Sequence, residues 1–225
     1  MRGIDETFRE RQEFLGRARD LIRLPRPGEA PLDHLLPEAR WQELICRAPD
    51  PGEWLMALSQ ATGVYFFPSR EWVPRFIRYL SRLKIRRLLE AGAGRGYLSA
   101  ALAPLAQAAG MTFKAIDKGQ GEYQAGMPVH PRVERGDVFK MVPEFRPDLV
   151  FYAWPPPNQS LAPLVACPSR RWVVVAGEAG GGTTGAREDW INLPHKKTSF
   201  LSQFSRGRTG PGRHQVTIFW SRGGG

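Results

Sequence analysis

The chain has little cysteine, no long apolar run and, beyond Asp189, no acidic residue at all. Each shortage excludes something. Its two cysteines, Cys46 and Cys167, lie far apart and show no metal-ligand spacing, which argues against a disulfide framework or a zinc site and fits a reducing compartment. No metal is expected. No hydrophobic stretch approaches the roughly 18 residues of a membrane-spanning helix. The first 23 residues alternate Arg with Asp and Glu, so they lack both the apolar centre of a secretory signal and the acid-poor character of an organelle address. A cytoplasmic protein without a membrane partner is the expectation.

The missing acids leave Lys196, Lys197, Arg206, Arg208, Arg213 and Arg222 unopposed in the C-terminal stretch of a chain with net charge +10. An excess of this kind attracts polyanions, and clustering of one sign says more than the total. Contact with RNA or DNA through the basic tail is therefore expected, with Arg206 and Arg208 as candidate substrate-binding residues. A plainer source of the charge is the Arg-rich, Gly-rich and Pro-rich usage of a GC-rich genome.

With 225 residues, 42% hydrophobic and 24% charged, the chain suits one soluble core with an appendage. Residues 1–68 read as an N-terminal helical cap. Thr7-Phe8-Arg9-Glu10 has capping-box form, and Phe8, Leu15, Ala18 and Ile22 recur at helical spacing as far as Leu24. Further helices are predicted from about Pro37 to Cys46 and from Gly52 to Ala61. Residues 69–225 read as the main domain. Ser69 caps a helix that places Val73, Phe76, Ile77 and Leu80 on one face. Strands follow at Ile85 to Ala91, Thr112 to Asp117, Arg132 to Arg135, Asp148 to Ala153 and Trp172 to Gly177. They alternate with helical segments, a pattern that calls for a parallel sheet with right-handed crossovers. Thr198 to Phe204 and Gln215 to Ser221 are too closely joined for a crossover helix and are predicted to pair antiparallel.

The strongest motif is Glu90-Ala-Gly92-Ala-Gly94-Arg-Gly96, which falls where the first of these strands turns into the helix from Tyr97 to Ala109. Glycines there let a ligand approach the backbone, and the amides that open the helix offer a partial positive field. Asp117 ends the second strand, 21 residues past Gly96, where a carboxylate can accept both hydroxyls of a ribose. Gly136-Asp137 follows the third strand at the same edge. In Gly136-Asp137-Val138 the Asp137 carboxylate or a neighbouring amide is positioned to take the exocyclic amine of an adenine, with a helix cap as the competing role.

These residues, with Pro147-Asp148-Leu-Val-Phe-Tyr, make residues 69 to 221 resemble a class I S-adenosylmethionine-dependent methyltransferase. The resemblance implies an α/β fold with a Rossmann-like, mostly parallel seven-stranded sheet, a C-terminal antiparallel hairpin and an N-terminal helical extension. It also implies that Glu90, Gly92, Gly94 and Gly96 surround the methionine part of S-adenosyl-L-methionine and that Asp117 binds its ribose. A nicotinamide dehydrogenase would want Gly-x-Gly-x-x-Gly, and Tyr97 stands in place of its last glycine.

The acceptor side departs from known patterns. Methyltransferases of amino groups in nucleic acids often carry Asn or Asp, two prolines and an aromatic residue after the fourth strand; this chain has Trp154-Pro155-Pro156-Pro157. Trp154 or Tyr152 would stack on a planar base, or the prolines form a rigid turn with Trp154 packed inward. Glu178, opening Glu178-Ala-Gly-Gly-Gly, is a candidate catalytic base beside Trp154, with a capping role as the alternative. Tyr65, in Tyr65-Phe66-Phe67, and Pro155 are further candidate substrate contacts. The acceptor expected first is RNA or another nucleic acid. The alternatives are a small molecule, or a methyltransferase-like binding module without catalysis.

Overall fold

Strands of continuous apolar residues need cover on both faces, and the chain supplies it with helices before and between them. The computed structural model describes residues 9–221 except 10, 11, 14, 15, 18, 19, 122, 167–171, 181, 182, 211 and 212. The capping box at Thr7 and the residues Phe8, Leu15, Ala18, Cys167 and Arg222 lie outside the described residues. Between 9 and 21 the described positions are helical.

The N-terminal part continues with α1 (Glu38–Arg47), α2 (Pro51–Thr62) and a short strand, β1 (Phe66–Pro68). Asp50 caps α2 by accepting from the Glu53 amide, and Gly63 ends it in the left-handed conformation. Then come α3 (Trp72–Arg82), β2 (Arg87–Ala91), α4 (Ser99–Ala108), β3 (Thr112–Asp117), β4 (Val133–Arg135), α5 (Val138–Phe145), β5 (Leu149–Ala153), α6 (Ala162–Val165) and β6 (Trp172–Glu178). The chain closes with α7 (Arg187–Asn192), β7 (His195–Lys197), α8 (Ser199–Ser202), β8 (Ser205–Gly207) and β9 (His214–Phe219).

Seven strands form the main sheet in the order β4-β3-β2-β5-β6-β9-β7. β2 to β6 run parallel, and β9 lies antiparallel between β6 and β7. This is the Rossmann-like sheet with an antiparallel close that the resemblance implied. The order reverses at β2, which has β3 on one side and β5 on the other, so the glycine loop after β2 sits at the topological switch point.

The hairpin itself differs from the prediction. Its first strand is β7, ahead of Thr198, while the stretch predicted as strand begins with a helical turn. The Thr198 hydroxyl accepts from the Leu201 amide and caps α8, and β8 then leaves the main sheet to pair with β1. A local cap thus turns the start of the predicted strand into a helical turn.

Leu88, Phe151, Val174 and Val216 face one side of the sheet and share a continuous core with Trp41, Trp54, Leu55, Phe67, Trp72 and Phe76. Leu89, Val150, Val173 and Val175 face the other side and pack with Val142, Phe145, Leu164 and Trp190. No described helix is long and apolar enough to cross a membrane. Among the described residues, no group of three His, Cys, Asp or Glu is placed to hold a metal ion.

Candidate cofactor and acceptor site

At the carboxyl edge of the sheet, Gly92, Gly94 and Gly96 all take positive φ, at 59°, 57° and 83°. Space requires glycine there as much as conformation does. A Cβ on Gly92 would lie 2.6 Å from the Tyr152 ring, and one on Gly94 would lie 2.6 Å from the Gln124 side-chain amide. Glu90, on the strand before them, is buried and accepts from the Ser99 hydroxyl at 2.7 Å. Burial, reinforced by the nearby Asp117 charge and opposed by the Ser99 bond, pushes its carboxyl up to about 8. The group is mostly protonated at neutral pH. Asp117 accepts from the Gly94 amide at 2.8 Å and the Gly119 amide at 2.6 Å.

A cleft of two compartments opens over this loop. The larger, of about 270 Å³, is walled by Ile116, Asp117, Lys118, Gly136, Val138, Tyr152, Trp154 and Gln159, among others. The smaller, of about 40 Å³, is bounded by Glu90, Gly92, Gly94, Arg95 and Val64, among others. Tyr65, Gly92, Gln124 and Ala153 line both. The Gln124 amide donates to the Gly63 carbonyl at 3.1 Å, which holds it across the glycine loop. Arg95 donates to the carbonyls of Thr62 at 2.6 Å and Pro128 at 3.0 Å.

Seven predicted residues converge on this cleft: Glu90, Gly92, Gly94, Asp117, Tyr65, Tyr152 and Trp154. Gly96 lies one turn deeper, where a Cβ would meet Val133 at 2.7 Å. The Tyr152 hydroxyl donates to Gln159 Oε1 at 3.2 Å, and burial pushes it up to about 12. Trp154 holds φ at 52°, unusual for a bulky residue, and its indole packs on Gly207, where a Cβ would lie 2.5 Å away.

Other predicted residues are placed elsewhere. Asp137 lines neither compartment: its carboxylate caps α5 through the Phe139 amide at 2.8 Å and pairs with Lys118 at 3.0 Å. Against the burial that raises it, those partners hold its carboxyl below the ordinary range. The neighbouring Gly136 and Val138 face the larger compartment instead. Glu178 accepts from the Thr183 hydroxyl at 2.5 Å, has Arg213 at 3.7 Å and lines neither compartment. Pro155 is buried with its carbonyl on the Gly185 amide at 3.1 Å, and Pro156 is the proline at the cleft.

Arg206 corrects the picture of an exposed basic tail. It is 3% exposed, forks onto Glu38 at 2.6 and 2.7 Å and lies over the Trp41 ring at 4.8 Å. Its neighbour Arg208 is half-buried among Tyr65, Tyr123 and Trp154. Lys196, Lys197 and Arg213 remain exposed.

Sequence reasoning missed Lys118, Gln124, Arg95 and Gln159. The available signal was the run Gly119-Gln-Gly121 to Gly126 directly after Asp117, a second glycine-rich loop at the edge where the first one ends.

No family model matches the chain, and no curated protein matches it. Among solved structures it is similar to human N-acetylserotonin methyltransferase in complex with SAM, at 11% identity and a TM-score of 0.44 over 94% of this chain and 66% of that one. It is also similar to the S-adenosylmethionine-dependent methyltransferase SibL in its apo form, at 11% identity and a TM-score of 0.40, covering 96% and 75% of the two chains. A SAM-dependent methyltransferase from Archaeoglobus fulgidus aligns at 13% identity and a TM-score of 0.36, covering 64% and 92%. These likenesses are distant, so the class rests on the strand order and the switch-point cleft. The strand order and the cleft define a Rossmann-like α/β protein with a cleft over its glycine loop.

Proposed function

We propose that the chain is an S-adenosyl-L-methionine-dependent methyltransferase acting on a small acceptor. The observation that carries this reading is the convergence of a Cβ-intolerant glycine loop, the Asp117 carboxylate and buried Glu90 at the switch point of a sheet closed by antiparallel β9. The residues present fit the cofactor. Each Asp117 oxygen receives one backbone amide and keeps acceptor capacity for a ribose hydroxyl. Ile116 and Val138 offer apolar walls to an adenine, and Gln159 offers an amide to its edge. Arg95 and the amides of the glycine loop border the smaller compartment, where the methionine end would be held. Bound there, the cofactor supplies an electron-poor methyl carbon on a sulfonium.

The chain's own contribution is positioning. Tyr65, Ala153 and Trp154 border the cleft where an acceptor would be aligned, and alignment supplies much of the acceleration such a transfer needs. Tyr152 stays protonated, and Glu178 is engaged elsewhere, so neither serves as base. An acceptor that reacts without a protein base suits this cleft.

The nucleic-acid reading loses Arg206, which is buried against Glu38, and keeps the exposed Lys196, Lys197 and Arg213. A non-catalytic module is the second reading, favoured by the 40 Å³ of the smaller compartment, which Gln124 narrows. Calorimetry with S-adenosylhomocysteine, S-adenosylmethionine and NADH tests the proposal. Both adenosyl ligands should bind the wild-type chain, and at least tenfold more weakly Asp117→Ala. Binding of NADH without either adenosyl ligand would overturn it, while cofactor binding without turnover on small acids or total RNA would select the module.

A further inference from the structure

Arg208 lines neither compartment but lies against two of the residues that do, and among the described residues no carboxylate pairs with it. The Arg208 guanidinium carbon lies 5.4 Å from the Tyr65 ring centroid and 5.9 Å from those of both Tyr123 and Trp154. Tyr65 and Tyr123 meet edge to face at 6.0 Å, and the Tyr65 hydroxyl accepts from the Tyr123 amide at 3.3 Å, so two of the walls brace each other. Trp154 is fixed by its packing on Gly207, one residue before Arg208. Two of these three residues, Tyr65 and Trp154, also wall the larger compartment.

Aromatic faces attract a guanidinium but give its N–H groups no oxygen. Arg208 Nε is buried with no hydrogen-bond partner, and among the described residues no carboxylate pairs with the side chain. Its neighbours in sequence are treated differently: Arg206 is neutralised by Glu38, and Arg213 has Glu178 at 3.7 Å. A half-buried cation held by rings alone is weakly hydrated and presents a planar fork of donors, the geometry that matches a carboxylate. One cation in an aromatic recess does not make the row of exposed charges that tracks a polyanion.

We propose that Arg208, clasped by Tyr65, Tyr123 and Trp154, is the recognition group for a small acceptor bearing a carboxylate. This deepens the methyltransferase reading and rests on it. The acid group of the acceptor docks on the terminal nitrogens of the guanidinium, beside Tyr65 and Trp154, which border the cofactor cleft. Specificity then comes from charge and planarity at one point rather than from an extended surface.

Benzoate, inorganic phosphate, tetramethylammonium and a single-stranded RNA oligonucleotide serve as probes, each titrated into the full chain saturated with S-adenosylhomocysteine. Tryptophan fluorescence and calorimetry are the readouts. Benzoate should bind and change the fluorescence, Arg208→Gln should weaken it at least tenfold, and Arg208→Lys should fall between, because an ammonium lacks the fork. S-adenosylhomocysteine affinity should stay within about twofold in both variants. Absence of benzoate binding to a chain that does bind S-adenosylhomocysteine overturns the inference and leaves the cofactor reading intact. Tighter binding of phosphate, tetramethylammonium or RNA than of benzoate, or equal benzoate affinity in Arg208→Gln, overturns it as well. Failure of S-adenosylhomocysteine itself to bind would instead bring down the methyltransferase reading.

Discussion

The Asp117 carboxylate and the Gly94 amide lie 2.8 Å apart, so the end of β3 is tied to the loop that follows β2. The same carboxylate holds the Gly119 amide. Asp117→Ala therefore removes two structural bonds along with the proposed ribose contact. A loss of about 1–3 kcal/mol in stability is expected, chiefly from the part-buried Gly94 amide because Gly119 is exposed to water, measurable by urea unfolding. Asp117→Asn keeps one acceptor oxygen and should retain more stability than Asp117→Ala.

Gly92→Ala tests whether the loop is glycine for space or for conformation. The left-handed φ alone costs about 1–3 kcal/mol for a side chain. Gly126 has φ of 71°, and a Cβ there would meet nothing within 4 Å, so Gly126→Ala carries the conformational cost alone. Gly92→Ala should be the more destabilising of the two, because its methyl also meets Tyr152 at 2.6 Å. Equal unfolding midpoints would remove the crowding argument.

Gln124 spans the boundary between the two compartments and rests on Gly63. Gln124→Ala widens the smaller compartment and frees its entrance. Stopped-flow binding of S-adenosylhomocysteine should then show a faster association rate than the wild type. An unchanged rate would mean that the glutamine stands clear of the entry path.

Two buried groups give opposite pH dependences. Glu90 titrates near 8 in the fold against 4.5 for an ordinary carboxyl, so the folded state holds the proton more tightly and stability falls as pH rises from about 4.5 to about 8. Burial, helped by the Arg206 charge, pushes His214 down to about 3 from 6.5, so the unfolded state takes up the proton first and stability falls as pH drops from about 6.5 to about 3. Glu90→Gln should flatten the alkaline limb of a melting-temperature profile, and His214→Phe the acid limb.

Arg206→Ala leaves Glu38 without its buried partner and should cost about 3–5 kcal/mol. Arg213→Ala removes an exposed side chain and should change stability by less than about 0.5 kcal/mol. Thermal melts of the two variants side by side check the contrast. If Arg206→Ala melted like the wild type, the Glu38 pair would be structurally idle.

The sheet was readable because its strands carry unbroken apolar runs, as in Val173-Val174-Val175, and because Gly92, Gly94 and Gly96 mark a turn that only glycine allows. Asp117 was readable from its place at a strand end. Asp137 is ambiguous in sequence, since a carboxylate after a strand serves equally as cap or ligand; in the fold its carboxylate accepts from the Phe139 amide. Arg206 was misleading because charge in a sequence carries no direction; its partner Glu38 is 168 positions away. Gln124 and the ring partners of Arg208 come from three separate segments, so no local pattern could join them.

The pairing of β1 with β8 has a consequence for how the chain can be divided. Phe66, Phe67 and Pro68 align with Gly207, Arg206 and Ser205. A cut near residue 68 would therefore strip the hydrogen-bonding partner from the strand that carries Arg206 and leads into Arg208, and would remove Tyr65 with it. The recess around Arg208 thus joins Tyr65, which leads into β1, with Tyr123 and Trp154 from the middle of the chain. Replacing the N-terminal segment would alter the Arg208 recess and the smaller compartment together, because Thr62 holds Arg95 and Gly63 holds Gln124 at the glycine loop.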